Sequence, residues 1–420
     1  MNILQHTELE KIKTQAQSSV EKLAFPSKKD EDWKYTRVSA FKPENFIPAV
    51  HQPATQEIIS QNSIQNLDSF KIVFVDGIFT PEFSNYPKDK LIVLPFSEAL
   101  KNEKYQQIFA EKFNTLTNQE YFTILNTAST QEGTFIYVPK NTVEEKPVEL
   151  LYINSSQERP ALQTIRNLFI VEDNSQASVT AKVHTLSEHE FLTNMVTEIF
   201  VGKNSHFRLY KIQDDAPETN LLDSTFVAQE QDSQAYIHTF TFGGKITRNE
   251  LSFDHKGENI NSTLKGITII GDGQEVGNHT LVQHNQPNCE SHELYRGIYN
   301  GNAHGIFNGK IKVHEIAQKT NAFQQNNNVL LSDKANIDTK PQLEIFADDV
   351  KCSHGCTVGQ LDNDALFYMK QRGIHEKEAK ALLMFAFAAD VMETVTLPEL
   401  KNTINKVIAK KLDVSLDFDF

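Results

Sequence analysis

Residues 173–205 read DNSQASVTAKVHTLSEHEFLTNMVTEIFVGKNS, and this stretch contains the pattern that runs through most of the chain. A polar cluster opens the stretch, apolar and β-branched residues alternate with polar residues through its middle, and a second polar cluster closes it. Alternation with a period of two is typical of β-strands, because successive side chains point to opposite faces of a sheet. The stretch therefore predicts strands bounded by turns.

Similar turn clusters recur along the chain. They are Asp173-Asn174-Ser175, Lys203-Asn204-Ser205, Gln231-Asp232-Ser233, Gly301-Asn302-Ala303 and Asp333-Lys334-Ala335, with further turns at Gly257 and Gly271-Asp272-Gly273. Asn174 and Asn204 are 30 residues apart, Asn204 and Asp232 are 28 apart, and Asn302 and Lys334 are 32 apart. A coarse period near 30 favours stacked β coils. An antiparallel sandwich with long hairpins would also give many strands, and the imperfect period does not exclude it.

The expected fold is mainly β, with a right-handed β-helix core between an N-terminal α/β region and a C-terminal helical region. We place the boundaries at 1–120, 121–358 and 359–420, where the periodicity changes. The β pattern is expected to begin at Tyr121, and helices are nearly absent from the middle zone.

The first zone mixes helical and strand patterns. Thr7-Glu8-Leu9-Glu10 is typical of a capping box at the start of an amphipathic helix that ends before Pro26. A second helix is predicted over about residues 97–114, after strands at 72–77 and 91–94.

The last zone contains three predicted helices, at 362–371, at 376–394 and from Pro398 to Leu412. The middle helix is apolar nearly all round, which indicates burial against more than one surface. We expect these helices to close one end of the β-helix and to present a docking surface for a partner.

Composition narrows the classes of function. The 420 residues carry a net charge of −14, and no basic run resembles a nucleic-acid footprint, so nucleic acid and anionic membranes are poor partners. The start, Met1 to Val20, reads as a polar helix and not as a signal, and no apolar stretch reaches about 18 residues. These features predict a cytoplasmic protein with three reduced cysteines.

Motifs for common enzyme chemistry are missing from the sequence. Gly305-Ile306-Phe307-Asn308-Gly309-Lys310-Ile311 is one residue too short for a phosphate-binding loop and lacks its hydroxyl residue. The chain contains no H-E-x-x-H, G-x-S-x-G or CxxC motif. The sequence therefore predicts a protein that is not an enzyme and that does not itself bind nucleotide.

The segment Lys351-Cys352-Ser353-His354-Gly355-Cys356 is the best candidate site. On a strand, Cys352, His354 and Cys356 would share one face. Residues four apart on a strand are about 13 Å apart, whereas zinc ligands lie only about 2.0–2.3 Å from the metal. A closed zinc site is therefore excluded, and an incomplete site for a soft metal or an iron–sulfur cluster, completed by another chain, remains. In the alternative, the cysteines are small buried hydrophobes and His354 is an ordinary histidine.

Other histidines are concentrated late in the β zone. They are His279, His284, His292, His304 and His314. A set of exposed histidines along one face could bind metal, although most are expected to be ordinary surface residues. Cys289 is a further thiol of interest.

Eight further motifs are informative as a set. They are Glu31-Asp32-Trp33-Lys34-Tyr35-Thr36, Leu125-Asn126-Thr127-Ala128, Asn278-His279-Thr280, Tyr295-Arg296-Gly297, Gly305-Ile306-Phe307-Asn308-Gly309-Lys310-Ile311, Gln318-Lys319-Thr320, Asp338-Thr339-Lys340-Pro341-Gln342-Leu343-Glu344-Ile345 and Lys351-Cys352-Ser353-His354-Gly355. Together they resemble the SufB/SufD family of iron–sulfur cluster assembly proteins, and the first two are similar to its SufD branch. The resemblance covers nearly the whole chain and is dense after about residue 250.

The resemblance implies a scaffold subunit without ATPase activity. Such a subunit would pair its β-helix with that of a SufB paralogue and dock a SufC-type ABC ATPase through its C-terminal helices, here 362–412. The matched histidine, His354, would face a cysteine of the SufB paralogue where an iron–sulfur cluster forms transiently, with Cys352 beside it. The chain would contribute to iron acquisition there, and two copies could form a homodimer in isolation.

One residue departs from the family pattern. Cys356 stands where a small residue is expected, so it either adds a third soft ligand or is buried, and burial is favoured. Two other functions remain open: a purely structural assembly subunit with no metal role, and a carbohydrate-active β-helix enzyme, which would need paired carboxylates on an exposed face.

Overall fold

The computed structural model describes residues 7–87, 90–155 and 157–413. Eight α-helices occur in this part of the chain, beside short 3-10 turns: α1 (Thr7–Val20), α2 (Gln56–Asn62), α3 (Phe96–Ala99), α4 (Glu103–Lys112), α5 (Tyr121–Ser129), α6 (Asn363–Gln371), α7 (Glu376–Met392) and α8 (Pro398–Lys411). None of them is long and apolar enough to span a membrane. The side chains of Thr7 and Glu8, on which the predicted capping box depends, lie outside the described part.

The strands make up most of the fold. Their bounds are β1 (Ile47–Pro48), β2 (Phe70–Val75), β3 (Ile78–Phe79), β4 (Ile92–Pro95), β5 (Gly133–Val138), β6 (Val148–Asn154), β7 (Ala161–Val171), β8 (Gln176–Thr185), β9 (Phe191–Val201), β10 (His206–Gln213), β11 (Thr219–Gln229), β12 (Gln234–Thr241), β13 (Ile246–His255), β14 (Asn261–Ile270), β15 (Glu275–His284), β16 (Glu290–Tyr299), β17 (His304–Val313), β18 (Thr320–Leu330), β19 (Asn336–Ile345) and β20 (Val350–Gly359).

From β5 onward the strands alternate between two sheets. Odd-numbered strands form sheet A and even-numbered strands form sheet B, and each strand pairs in parallel with the strand one coil away. The offset between paired residues ranges from 26, as in Asn220 with Ile246, to 33, as in Gly133 with Arg166. This arrangement confirms the β-helix and rules out the antiparallel sandwich.

The turn clusters have a backbone explanation. At seven of the eight corners where sheet A leads into sheet B, one residue has positive φ: Asn141, Asn174, Asn204, Asp232, Asn259, Asn288 and Lys319. Asparagine and aspartate tolerate this left-handed conformation better than most residues. The Nδ2 of Asn204 donates to the Oδ1 of Asn174 at 2.9 Å, and Asn174 donates to Asn141 at 3.0 Å, so the corner side chains form a ladder. The Gly301 and Lys334 clusters lie at the opposite corner.

The N-terminal region is continuous with the β-helix. β2 pairs in parallel with β6 and β4 pairs antiparallel with β5, so strands from this region extend both sheets at their first end. The helix predicted over 97–114 is divided into α3 and α4, because Asn102 breaks it and caps α4 by accepting from the amide of Lys104.

The expectation that the β pattern begins at Tyr121 is wrong, because Tyr121–Ser129 is helix α5. Asn126, fully buried, donates from its Nδ2 to the carbonyl oxygens of Ile165 and Asn194 at 3.0 and 2.8 Å. These contacts fasten the helix to the outer face of sheet A. A short run of apolar and β-branched residues does not distinguish a buried helix from a strand.

The expectation that the C-terminal helices close the end of the β-helix is also wrong. They pack on the outer side of sheet B, where Tyr210, Phe240 and Ile267 form one apolar cluster with Val391 and Ile404. This placement leaves the end formed by β19 and β20 uncovered by the described residues of the chain.

We expect acid to weaken this attachment through His238. Its Nε2 lies 2.8 Å from the Oγ1 of Thr394, and burial, followed by the charges of Lys265 and Arg208, lowers the pKa of His238 to about 3. A histidine with a lowered pKa contributes stability that is complete above its unfolded pKa, about 6.5, and is lost as the pH falls toward the folded value. Between pH 7 and pH 4.5, wild type should lose on the order of 2 kcal/mol more than His238→Gln in denaturant unfolding. Equal losses in the two proteins would contradict this role.

Candidate functional site

The last coil of the β-helix ends in two open strands. β19 and β20 are the terminal strands of sheets A and B, and each pairs with a neighbour on one side only. Both strands have ten residues, so a long row of backbone N–H and C=O groups faces outward. An edge of this kind is a template for pairing with another chain unless something covers it.

The predicted trio lies on β20, on one face as expected. Cys352, His354 and Cys356 pair in register with Ala322, Gln324 and Asn326 of β18, all of which are buried. The trio therefore points into the space between the two sheets. Because no further coil follows among the described residues, these inward-facing side chains lie at the open mouth of the β-helix.

The two cysteines differ in their surroundings. Cys352 is half-buried beside the apolar cluster of Ile311, Val313 and Ala317, and this burial raises the pKa of its thiol. Cys356 is exposed, and its thiol donates to the Oγ1 of Thr339 at 3.2 Å. The prediction that Cys356 is buried is therefore wrong. The side chain points inward, but Cys356 lies in the last coil, where no further coil among the described residues covers it.

His354 is exposed, between the two cysteines on the same face. The spacing along the strand keeps the outer pair about 13 Å apart. In the described part of the chain, no three His, Cys, Asp or Glu side chains are grouped so that they could hold a metal ion. The mouth therefore offers one imidazole and two thiols as separate soft donors, and a metal or cluster there would need ligands from another molecule.

Among the described residues, the late histidines form no group that could hold a metal ion. His279 and His284 are buried, and burial lowers the pKa of both imidazoles. His304 lies between the carboxylates of Glu275 and Asp338, which hold its pKa above the usual value despite partial burial. Cys289 is fully buried, and burial raises the pKa of its thiol to about 11, so it is not a reactive thiol.

A charged cavity that the sequence did not indicate lies outside sheet A. The segment 31–36 covers it, and its volume is about 310 Å³. The guanidinium of Arg248 lies 4.0 Å from the centre of the Trp33 ring and donates to the carbonyl oxygen of Asp32 at 3.0 Å. Lys340 of β19 forms an ion pair with Glu31. These contacts show that the segment fastens the N-terminal region to sheet A.

An acidic pair adjoins this cavity. Burial, and then the charge of Glu250, raises the pKa of Glu120 to about 7. The carboxylate of Glu250 accepts from Asn118 at 2.7 Å. Glu120 and Glu250 are distant in the sequence, and only the register between strands brings them together. Patterns in a single sequence do not show this register.

The C-terminal helices present a separate apolar surface. Helix α6 has no buried residue, and its side chains Phe367 and Tyr368 are 64% and 59% exposed. Asp362 nevertheless caps the N-terminus of this helix, because its side chain accepts from the amides of Asp364 and Ala365. Exposed aromatic side chains on a capped helix are typical of a protein-binding surface.

Comparison with known families decides the assignment. Residues 152–387 match the family described as "SUF system FeS cluster assembly, SufBD core domain", and residues 3–150 match the "SufBD protein N-terminal region". The chain belongs to the SufBD family. Members of this family take part in iron–sulfur cluster assembly, and the match confirms the resemblance carried by the sequence motifs.

Three SufBD relatives align with this chain over most of their length. The iron-sulfur cluster assembly protein SufD of Escherichia coli is 29% identical over 406 residues, which cover 95% of this chain and 92% of the relative. SufD of Bacillus subtilis is 26% identical over 417 residues, covering 96% and 94%. A SufBD family protein of Synechocystis is 29% identical over 403 residues, covering 92% and 87%.

Proposed function

We propose that this chain is the SufD-type, non-ATPase subunit of an iron–sulfur cluster assembly complex. In this proposal its open β-helix end pairs with a SufB paralogue and its C-terminal helices dock a SufC-type ATPase. The observation that carries the proposal is the open end of the β-helix. Its two edge strands, β19 and β20, each have one free edge, and β20 carries His354, Cys352 and Cys356. The cluster would be a transient cargo, held jointly with the partner.

The geometry supports a shared half-site. His354 is exposed on the inward face, so a partner that continues the β-helix would enclose the imidazole between the two chains. Neutral imidazole and thiolate are suitable donors for iron and for iron–sulfur clusters. Cys352 would bind metal as a thiolate, but burial raises the pKa of its thiol. A cation close to Cys352 in the complex would lower this pKa and favour the thiolate.

The mechanism that we propose is mechanical. Dimerisation of the partner ATPases on binding nucleotide would move the C-terminal helices, and these pack directly on sheet B. A shift of sheet B would be transmitted to β20 and would open the interface to iron and sulfide. Nucleotide can drive such a change only if it binds the two states with different affinity.

We expect His354→Ala to lower cluster formation while the complex still assembles. The exposed imidazole makes no contact needed for folding, so its loss should act on metal chemistry alone. We would reconstitute the complex with a SufB paralogue and a SufC-type ATPase, then measure iron and sulfide content together with the absorbance of the cluster. Normal cluster yield in this variant would contradict the site assignment.

A matched control lies one residue away. Ser353 is exposed on the opposite face of the same strand, so Ser353→Ala should leave cluster yield unchanged. The double variant His354→Ala with Cys352→Ala tests the purely structural alternative, which predicts a normal yield. The carbohydrate-active alternative predicts glycosidase activity that depends on a carboxylate pair such as Glu120 and Glu250, and the same preparation can be assayed for it.

A further inference from the structure

The inward-facing residues of sheet B form columns, one residue per coil. The column that ends at His354 is, in order from the first coil, Val148, Val179, Leu209, Ile237, Leu264, Glu293, Gln324 and His354. It is aliphatic through five coils and becomes polar only in the last three. Packing alone does not require this change, since leucine fills the equivalent position one coil earlier.

The two polar residues below His354 are buried and joined to each other. Glu293 is 3% exposed and Gln324 is 1% exposed. The Nε2 of Gln324 donates to the Oε2 of Glu293 at 2.7 Å. Burial raises the pKa of the Glu293 carboxyl to about 7. The hydrogen bond fixes which end of the Gln324 amide faces the glutamate.

Sheet A makes room for this amide. Gly309 of β17 faces the interior, and a Cβ atom at this position would lie 2.4 Å from the Nε2 of Gln324. Any larger residue would displace the glutamine. Gly309 belongs to the segment Gly305–Ile311, which the sequence singled out without a structural role.

The amide oxygen of Gln324 is left without a partner. Within the described residues, its Oε1 is buried and accepts no hydrogen bond. Buried acceptors are satisfied in most native structures, so this oxygen is available to a donor from a neighbouring side chain that turns toward it. His354 is the next residue in the column, and it is exposed in the last coil.

We propose that Gln324, held by Glu293, is a positioning residue for His354. Its Oε1 accepts the N–H of one imidazole nitrogen, and the other nitrogen is left unprotonated and directed outward. A metal-binding histidine usually donates its second N–H to a fixed acceptor, which sets the tautomer and the ring orientation. The inference rests on the proposed function only in assigning the outward nitrogen to the cluster.

The test is the tautomer of His354 in the isolated full-length chain, without metal or partner. Two-bond proton–nitrogen correlation on protein labelled with nitrogen-15 histidine distinguishes the two neutral tautomers, and His354→Asn assigns the signals. We expect a single dominant tautomer in wild type. Gln324→Met removes the acceptor at similar length and should produce a mixture of both tautomers, whereas Gln324→Glu keeps an acceptor oxygen and should retain one.

The control is Gln325→Met, because Gln325 is exposed on the other face of the same strand. It should leave the His354 signals unchanged. Unchanged signals in Gln324→Met would overturn the proposal. If that variant does not fold, Glu293→Met, which frees the amide, decides by the same criterion. A normal cluster yield in His354→Ala would contradict the proposed function and would leave the tautomer result standing.

Discussion

Replacement of Glu198 by alanine is expected to destabilise the folded chain by about 3–5 kcal/mol, the usual cost of removing one partner of a buried ion pair. Glu198 and Arg166 lie 2.5 Å apart on neighbouring strands of sheet A, and both side chains are fully buried. The carboxylate also accepts from the amides of Asn114 and Leu116 at 2.7 and 2.9 Å. Its loss would leave a buried guanidinium uncompensated and release the segment after α4.

Urea unfolding of the full chain measures this effect. The matched control is Glu344→Ala, because Glu344 pairs with Lys310 across neighbouring strands of the same sheet but is 40% exposed. An exposed pair is worth about 0–1 kcal/mol. The double variant Arg166→Met with Glu198→Leu removes both charges and should recover part of the loss, because the amides of Asn114 and Leu116 still lose their acceptor. A change below about 1 kcal/mol in Glu198→Ala would contradict the role assigned to the pair.

The second large effect is expected at the proposed ATPase surface. The double variant Phe367→Ser with Tyr368→Ser should weaken binding of a SufC-type ATPase by at least about 100-fold, since buried aromatic anchors commonly contribute about 2 kcal/mol or more each. The fold should be unaffected, because neither side chain is buried in the isolated chain. Calorimetric titration and size-exclusion chromatography measure the loss.

Two exposed apolar residues elsewhere supply the control. Val143 and Ile316 are 64% and 62% exposed and lie in turns of the β-helix. Val143→Ser with Ile316→Ser removes a similar amount of exposed apolar surface and should leave ATPase binding unchanged. Removal of residues 362–420 should abolish binding altogether. Wild-type affinity in the aromatic double variant would place the docking surface elsewhere on the chain.

The proposed ATPase surface and the proposed cluster interface both lie where the described chain leaves a surface exposed. Helices α7 and α8 pack on sheet B and have buried residues, whereas α6 has none. The end of the β-helix at β20 is likewise open, and His354 lies there. In the proposed complex, the ATPase surface and the cluster interface are therefore carried by consecutive segments, β20 and α6.

Much of the fold could be predicted from local pattern. The alternation in residues 173–205 indicates strands, and the polar corner residues recur because most coils have one corner residue with positive φ. The period near 30 follows from two strands and two corners per coil. Local pattern also predicted a strand at 72–77 and the shared face of Cys352, His354 and Cys356, because both features depend only on residues that are close in sequence.

Other features depended on contacts that are distant in sequence. Tyr121–Ser129 is helical because Asn126 reaches two carbonyl oxygens of sheet A, which its own neighbours do not reveal. Cys356 is exposed because no coil within the described residues covers it, although its pattern is that of an inward residue. The C-terminal helices lie on sheet B because apolar residues such as Phe240 and Ile267 form a surface only when separate coils are stacked.

The sequence by itself therefore determined the repeating strand-and-turn unit, the family and the residues of the candidate site, since period, corner chemistry and motif spacing are local properties. Only the tertiary structure decided which end of the β-helix stays open, where the terminal helices attach, and that Glu293 and Gln324 lie beneath His354. Those three facts depend on register between coils about 30 residues apart. The physical reason is that a side chain's exposure is set by the neighbouring coil, which is close in space and distant along the chain.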